Sequence, residues 1–152
     1  MTSRYSKVES LKIDYLCLKI KEIRYLEYEL KRIDEEIEKV NTNMTRIQSV
    51  YFSPQPKSKN IGDEFEMKLH RLIFTKDILE DSRSKIDAEL KKCYYILNFL
   101  TPACKDIAVD LYINKKKSSA LSMKYNISNP YQKIYDELRY FRIDRFLTNF
   151  SW

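Results

Sequence analysis

A seven-residue repeat of apolar side chains is the feature that most restricts how this chain can fold. Between about Ser6 and Tyr51, one series falls at Leu16, Ile23, Leu30, Ile37 and Met44, and a second at Leu26, Ile33, Val40 and Ile47. From Ile23 to Ile47 every position of both series is apolar, which is the pattern of a coiled-coil seam. The sequence therefore predicts one long helix whose seam needs a partner surface.

A second helix with the same period is predicted from Asp63 to about Asn98. Its repeat falls at Phe65, Leu72, Leu79, Ile86, Cys93 and Leu100, with Leu69, Leu90 and Leu97 in the other series. Residues 52–63 contain two prolines and the only glycine, which predicts a loop with Asp63 as the cap of the second helix. Two matching seams favour an antiparallel coiled-coil hairpin over residues 1–100. Pairing of the seam with a second copy stays open as a homodimer.

Composition agrees with an all-α chain. The 152 residues include one Gly and four Pro, and 33% of them are charged, so we expect few turns and long helices. Three widely spaced cysteines and one histidine give neither zinc spacing nor a disulfide framework. No apolar run is long enough for a signal sequence or a bilayer span. We expect a cytoplasmic protein without a membrane partner.

The last third of the chain is the more basic part. Residues 101–152 hold 9 basic and 5 acidic side chains, a net charge of +4, whereas residues 1–100 hold 19 and 17, a net charge of +2. A basic segment suits a partner that carries phosphates. This difference and the end of the heptads predict a second domain over residues 101–152.

Capping and turn residues divide the segment 101–141 into three short helices. The signals are Thr101 with Pro102 for the first helix, Ser118 or Ser119 for the second, Asn126 for the turn, and Ser128 followed by Asn129 and Pro130 for the third. The expected small core comprises Ile107, Leu111, Leu121, Ile127, Ile134 and Leu138. Three or four residues between two short helices is helix-turn-helix spacing.

The order of residues here resembles region 4 of bacterial sigma factors. The matching elements are Tyr112-Ile113, a four-residue loop, Leu121-Ser122, Ile127-Ser128 and a polar helix. With a long helical hairpin in front, the chain is similar to the ArpU/RinA-like phage activators of late-gene transcription. Lys115 and Ser118 replace the glycine and tryptophan usual in that loop, and the third helix is about one residue out of register. The resemblance implies a promoter-bound activator of phage or prophage late genes, with host RNA polymerase as a partner.

The candidate contacts to double-stranded DNA follow from the position of each side chain. Lys115, Lys116 and Lys117 precede the second helix and can reach phosphates, as can Lys124 within it. Ser128 and the first amides of the third helix offer donors to the DNA backbone. The N-terminal part of that helix, which usually meets base edges, carries Asn129, Tyr131, Gln132 and Lys133. Gln132 could pair with adenine and Lys133 with guanine or a phosphate, whereas Tyr131 also fits the inner face.

Two other functions remain open on the sequence alone. A small terminase subunit also joins a helix-turn-helix to helical oligomerisation elements, and a coiled-coil adaptor would bind no DNA. None of the common catalytic, phosphate-cradling or calcium-binding motifs is present, so we expect neither an enzyme nor a cofactor or metal site. The apolar residues of the last segment, Ile143, Phe146, Leu147, Phe150 and Trp152, are expected to pack back, bind a second subunit or dock a partner.

Overall fold

The computed structural model describes residues 5–51 and 59–149, and this part of the chain is all helical, without a strand. The helices are α1 (Lys7–Tyr51), α2 (Lys59–Phe99), α3 (Pro102–Ala108), α4 (Ser118–Tyr125), α5 (Pro130–Leu138) and α6 (Ile143–Asn149). A π-helical turn, Val109–Ile113, continues α3. The predicted all-α class is confirmed. Within the described ranges, no helix has an apolar stretch long enough to cross a bilayer.

The start of α2 differs from the prediction. The helix begins at Lys59 rather than at Asp63, so the predicted loop 52–63 is wrong over its last five residues, and Asp63 is not a cap. Residues 52–58 lie outside the described part of the chain. A single glycine costs a helix interior about 1 kcal/mol. A long helix with a repeating apolar face tolerates that cost, and Gly62 therefore did not mark a boundary.

The chain divides into two compact units, and each long helix contributes to both. The first unit combines the chain up to Leu26 with the chain from Glu89 onward, and the second is Glu27–Ala88. The sequence-based division at residues 100 and 101 follows a change of pattern and charge. It stays a prediction about which segment folds on its own.

In the second unit, α1 and α2 lie side by side and run antiparallel. Asp34 of α1 pairs with Arg83 of α2, and further along α1 Ile47 shares a groove with Leu72. Higher residue numbers in one helix therefore meet lower numbers in the other. The predicted seam faces inward, since Ile33 is only 4% exposed. The antiparallel pairing predicted for the two heptad series is thus present in this unit.

The first unit contains most of the buried side chains. Its fully buried members include Leu16, Ile20 and Ile23 of α1, Cys93, Ile96 and Leu97 of α2, and Ile107, Leu121, Ile134, Leu138 and Phe146 of the shorter helices. The start of α1 therefore packs with the end of α2 and with the short helices. All three cysteines are free and buried, as small apolar groups commonly are.

The helix α6 packs back onto its own chain. The ring of Phe146 is fully buried, with its centroid 5.9 Å from that of Tyr95 and 5.6 Å from that of Phe141. Of the three fates expected for the apolar C-terminal residues, packing back is the one that Phe146 follows. Leu147 is half exposed, and Phe150 and Trp152 lie outside the described residues.

A charged hydrogen bond ties α3 to α5. Thr101 occupies the N-cap position of α3 and Pro102 its first turn, as predicted, but the Thr101 side chain does not cap its own helix. Instead the Thr101 amide and hydroxyl donate to the two carboxylate oxygens of Glu137, at 2.8 and 2.9 Å. Bonds to a charged acceptor are stronger than neutral ones, so this pair helps to fix α5 against α3.

Candidate nucleic-acid interface

Residues 126–129 join α4 to α5 and turn the chain sharply. Asn126 adopts the left-handed conformation with φ 53° and ψ 51°, which asparagine tolerates better than most residues. The Ile127 amide donates to the Ser122 carbonyl at 3.1 Å, so the end of α4 is satisfied within the turn. The turn predicted at Asn126 is confirmed.

The cap of α5 is Asn129. Its backbone is extended, and its Oδ1 accepts from the Gln132 amide at 3.3 Å. The predicted cap, Ser128, is therefore wrong by one residue. Pro130 explains the shift, because its fixed φ suits the first helical position and leaves the preceding residue to cap. Ser128 stays exposed in the turn.

The loop before α4 presents lysines in three different settings. Lys115 has a positive φ of 57°, and its side chain is exposed. Lys117 occupies the N-cap position of α4, with no side-chain capping bond. The predicted cap at Ser118 or Ser119 is therefore wrong, since Ser118 is already the first residue of the helix. Lys116 pairs with the carboxylate of Asp110.

Asp110 is a buried carboxylate that organises this loop. Its side chain is 10% exposed and accepts hydrogen bonds from the Tyr125 hydroxyl at 2.7 Å, the Lys124 ammonium at 3.0 Å and the Asn114 amide at 3.2 Å. Tyr125 and Lys124 bond to Oδ2, and Lys116 Nζ lies 3.4 Å from Oδ1, the oxygen that accepts from Asn114. The carboxylate therefore connects the π-helical turn, the lysine loop and α4.

The donors around Asp110 keep it ionised. The Tyr125 hydroxyl, followed by the Lys124 ammonium, holds the pKa of Asp110 far below its ordinary value, against the opposing effect of burial. The hydrogen bond between Lys124 and Asp110 also raises the pKa of Lys124. One negative charge is thus shared by two of the predicted phosphate contacts, Lys116 and Lys124. In the described part of the chain Lys115, Lys117 and Lys133 make no ion pair.

The N-terminal half of α5 and the turn before it line one open pocket of about 460 Å³. Its walls carry four of the predicted contacts, namely Ser128, Asn129, Gln132 and Lys133, together with Ile127 and Asp136. Donors and acceptors of several kinds thus surround one concave surface. The side chain of Lys133 is exposed, so this wall presents a cation together with neutral polar groups.

Gln132 is held in place by residues from outside the helix-turn-helix segment. Its Nε2 donates to the Tyr5 hydroxyl at 2.7 Å and to Asp136 Oδ1 at 2.9 Å, and the Tyr5 hydroxyl donates to the same carboxylate. The Arg139 guanidinium lies over the Tyr5 ring, 5.6 Å from its centroid. Tyr5, which lies just before α1, therefore rests on α5 beside the pocket.

Tyr131 lies at the rim of the module rather than on its inner face. It is 38% exposed, whereas Ile134 and Leu138 are fully buried. Its ring centroid lies 6.2 Å from that of Tyr112 and 6.3 Å from that of Tyr135. The inner-face alternative for Tyr131 is wrong, and its contact to DNA stays a prediction.

Three residues of this surface were missed by the sequence reasoning: Tyr5, Asp110 and Asp136. Asp110 left a weak signal, since it is an acid four residues before Asn114 at the edge of a lysine run. Tyr5 left none, because it is 127 residues from Gln132 along the chain.

The described residues contain no group of three His, Cys, Asp or Glu side chains that could hold a metal ion. Comparisons of the chain with protein-family models, with curated proteins and with solved structures gave no significant match.

Proposed function

We propose that the segment from Thr101 onward binds double-stranded DNA with α5 in the major groove. The observation that carries the proposal is the α4–turn–α5 unit itself. Two short helices are joined by four residues, and the N-terminal half of the second helix presents Asn129, Gln132 and Lys133 around an open pocket. In helix-turn-helix proteins that part of the second helix contacts base edges.

The lysines of the loop supply the phosphate contacts in this proposal. Lys115 and Lys117 are exposed, so their ammonium groups can meet phosphate oxygens directly. Lys116 and Lys124 reach DNA only in competition with Asp110, which already accepts from both. The Ser128 hydroxyl adds a donor toward the backbone, with the positive end of the helix dipole behind it. The amides expected to join it are mostly used within the cap, since Pro130 has no N–H and the Gln132 and Lys133 amides donate to Asn129.

Base reading is assigned to Gln132 and Lys133. Lys133 is exposed and needs no rearrangement to approach guanine or a phosphate. Gln132 must exchange its bonds to Tyr5 and Asp136 for bonds to a base. Tyr131, at the rim, is assigned a flanking contact to the sugar-phosphate backbone.

The biological role rests on the resemblance to the ArpU/RinA-like activators. We propose a phage or prophage regulator that activates late genes at a promoter together with host RNA polymerase, in the host cytoplasm. Direct DNA binding in the experiment below would favour this role over a coiled-coil adaptor. A ring-sized assembly in light scattering would favour the small terminase subunit instead.

A homodimer through α1 belongs to the same proposal. Apolar side chains recur along the first five turns of α1 on the side away from the buried Leu16 and Ile23, and they are largely exposed: Leu11 by 62%, Leu18 by 54% and Tyr25 by 64%. An apolar stripe of this kind marks an interaction surface. Because Phe146 is already buried within its own chain, α1 is the better candidate than α6. The test compares the parent chain and the Leu18→Lys variant by analytical ultracentrifugation. A parent chain that sediments as a dimer and a variant that sediments as a monomer would support this assignment.

The experiment on DNA binding uses the full chain and fluorescence anisotropy with a labelled duplex at several salt concentrations. Changing Lys115, Lys116 and Lys117 together to alanine should weaken binding to every sequence. The slope of log K against log salt should fall by roughly 2–3, since each lost phosphate contact contributes about 0.9. The charge-matched control changes Lys31, Lys39 and Lys85 in the second unit. Equal slopes for the two triple variants would contradict the assignment.

Sequence reading is tested separately by selecting preferred duplexes from a random pool. Gln132→Ala or Lys133→Ala should lose roughly 1–3 kcal/mol of discrimination at one base pair and leave non-specific binding nearly unchanged. A preferred sequence that neither variant alters would mean that α5 does not enter the groove as proposed.

A further inference from the structure

The second unit contains a groove between α1 and α2 whose walls carry positive charge. The groove has a volume of about 410 Å³ and is lined by Asn43, Arg46 and Ile47 of α1 and by Lys68, Arg71 and Leu72 of α2. Three of these six side chains are cations, contributed by both helices, and none is a carboxylate. The polar members are exposed, whereas Ile47 and Leu72 are half buried below them.

Ion pairing sets the two arginines of the groove apart from the other arginines in the same unit. Arg32 pairs with Glu29 at 2.9 Å, and Arg83 pairs with Asp34. Three lysines outside the groove are also paired, Lys39 with Glu36, Lys76 with Glu80 and Lys85 with Asp81, whereas Lys31 is not paired with any described residue.

Arg46 and Arg71 are the two arginines of the described part of Glu27–Ala88 that make no ion pair, and both line this groove. Lys68, the third cation, lies 3.8 Å from the exposed Glu64, a pair that contributes little at a solvated surface. Three like charges around one concavity repel each other unless an anion lies between them. The two arginines without an ion pair therefore lie together where a ligand can enter, in a unit whose residues 27–88 hold 11 basic and 13 acidic side chains.

We infer that this groove binds a phosphate group, carried either by a nucleic-acid backbone or by a smaller phosphorylated molecule. The planar guanidinium group presents paired N–H donors that match two oxygens of one phosphate. Arg46 and Arg71 approach from opposite helices, Lys68 adds a point charge, and the Asn43 amide adds a neutral donor. The inference does not depend on α5 or on the proposed function of the first unit.

The test titrates the full-length, isotope-labelled chain with inorganic phosphate and follows the arginine side-chain N–H resonances by NMR. Saturable shifts are expected for Arg46 and Arg71 and should disappear in the double variant Arg46→Gln, Arg71→Gln. The control Lys31→Gln, Arg32→Gln removes the same charge from the same unit outside the groove and should keep both shifts. Both arginines of the groove are exposed, so the double variant should retain the parent melting curve by circular dichroism.

A second arm measures the affinity of the same variants for a short duplex. If the phosphate belongs to nucleic acid, the double variant should bind at least fivefold more weakly, with a salt slope lower by about 1.8 for two contacts, and the control should bind nearly as the parent does. Phosphate shifts with unchanged duplex affinity would assign the groove to a smaller phosphorylated molecule. Absence of saturable shifts, or shifts retained in the double variant, would overturn the inference. The triple lysine variant of the first unit should keep these shifts, so failure of the two proposals can be distinguished.

Discussion

Asp110→Asn tests whether one buried carboxylate holds the lysine loop to α4. Asparagine keeps the size of the side chain but removes the charge that four donors share. The hydrogen bond from the Tyr125 hydroxyl to a charged acceptor is worth roughly 1.5–3 kcal/mol. The side chains of Lys116 and Lys124 are about half exposed, at 49% and 53%, so each ion pair adds little to the free energy of unfolding. We expect the free energy of unfolding to fall by about 2–4 kcal/mol at pH 7.

The loss should also depend on pH in a defined direction. Because the pKa of Asp110 in the folded chain is held below its ordinary value of 3.8, the stabilisation is complete above that value and is lost as the pH falls toward the folded-state pKa. The difference in free energy of unfolding between parent and variant should therefore be constant from pH 8 to about 5 and become smaller below about pH 4.

The assay is urea unfolding followed by circular dichroism, with hydrogen exchange of the α4 amides as a local probe. Lys124→Gln is the matched control, because it removes one half-exposed ion pair and should lower the free energy of unfolding much less than Asp110→Asn does. A loss for Asp110→Asn below about 0.5 kcal/mol at pH 7, or a gap that persists unchanged in acid, would refute the role assigned to Asp110.

Two further substitutions test other parts of the structure. Tyr5→Phe removes the hydroxyl that links Gln132 to Asp136, so Gln132 is freer to bond to a base. We expect the affinity for a duplex, measured by fluorescence anisotropy, to rise about two- to fivefold. A lower affinity would instead make Tyr5 part of the DNA contact. Ile33→Asp places a carboxylate at a seam position that is 4% exposed and should lower the free energy of unfolding, measured in urea, by several kcal/mol. Tyr28→Asp, at an exposed position of the same helix, should lower it little.

The long helices were predictable because their signal is local and repeated. Ile33 and Val40 belong to the predicted heptads, and both are buried. A period of seven over several turns leaves few alternatives. The error at Gly62 arose where a single residue of low helix propensity was weighted above the repeat that surrounds it.

The polar surface was less predictable because its partners are distant in sequence. The shift of the α5 cap from Ser128 to Asn129 is a local error, which the position of Pro130 could have corrected. The bonds of Asp110 to Lys124 and Tyr125 span 14 and 15 residues, and they depend on how the π-helical turn meets α4. The contact of Tyr5 with Gln132 has no local pattern at all, since only the folded chain brings the two together.

The three buried cysteines allow opening of the first unit to be followed by thiol alkylation. Burial raises the pKa of Cys17, that of Cys93 to about 11 and that of Cys104 to about 12, and thiol reagents attack the thiolate. At pH 8 roughly one Cys93 side chain in a thousand would be ionised in the closed state. Alkylation should therefore require opening of this unit, and it should proceed at the opening rate when the reagent is concentrated enough to react faster than the unit recloses. All three thiols belong to that unit, so the alkylation kinetics of the unaltered protein measure the opening of this unit without an introduced label.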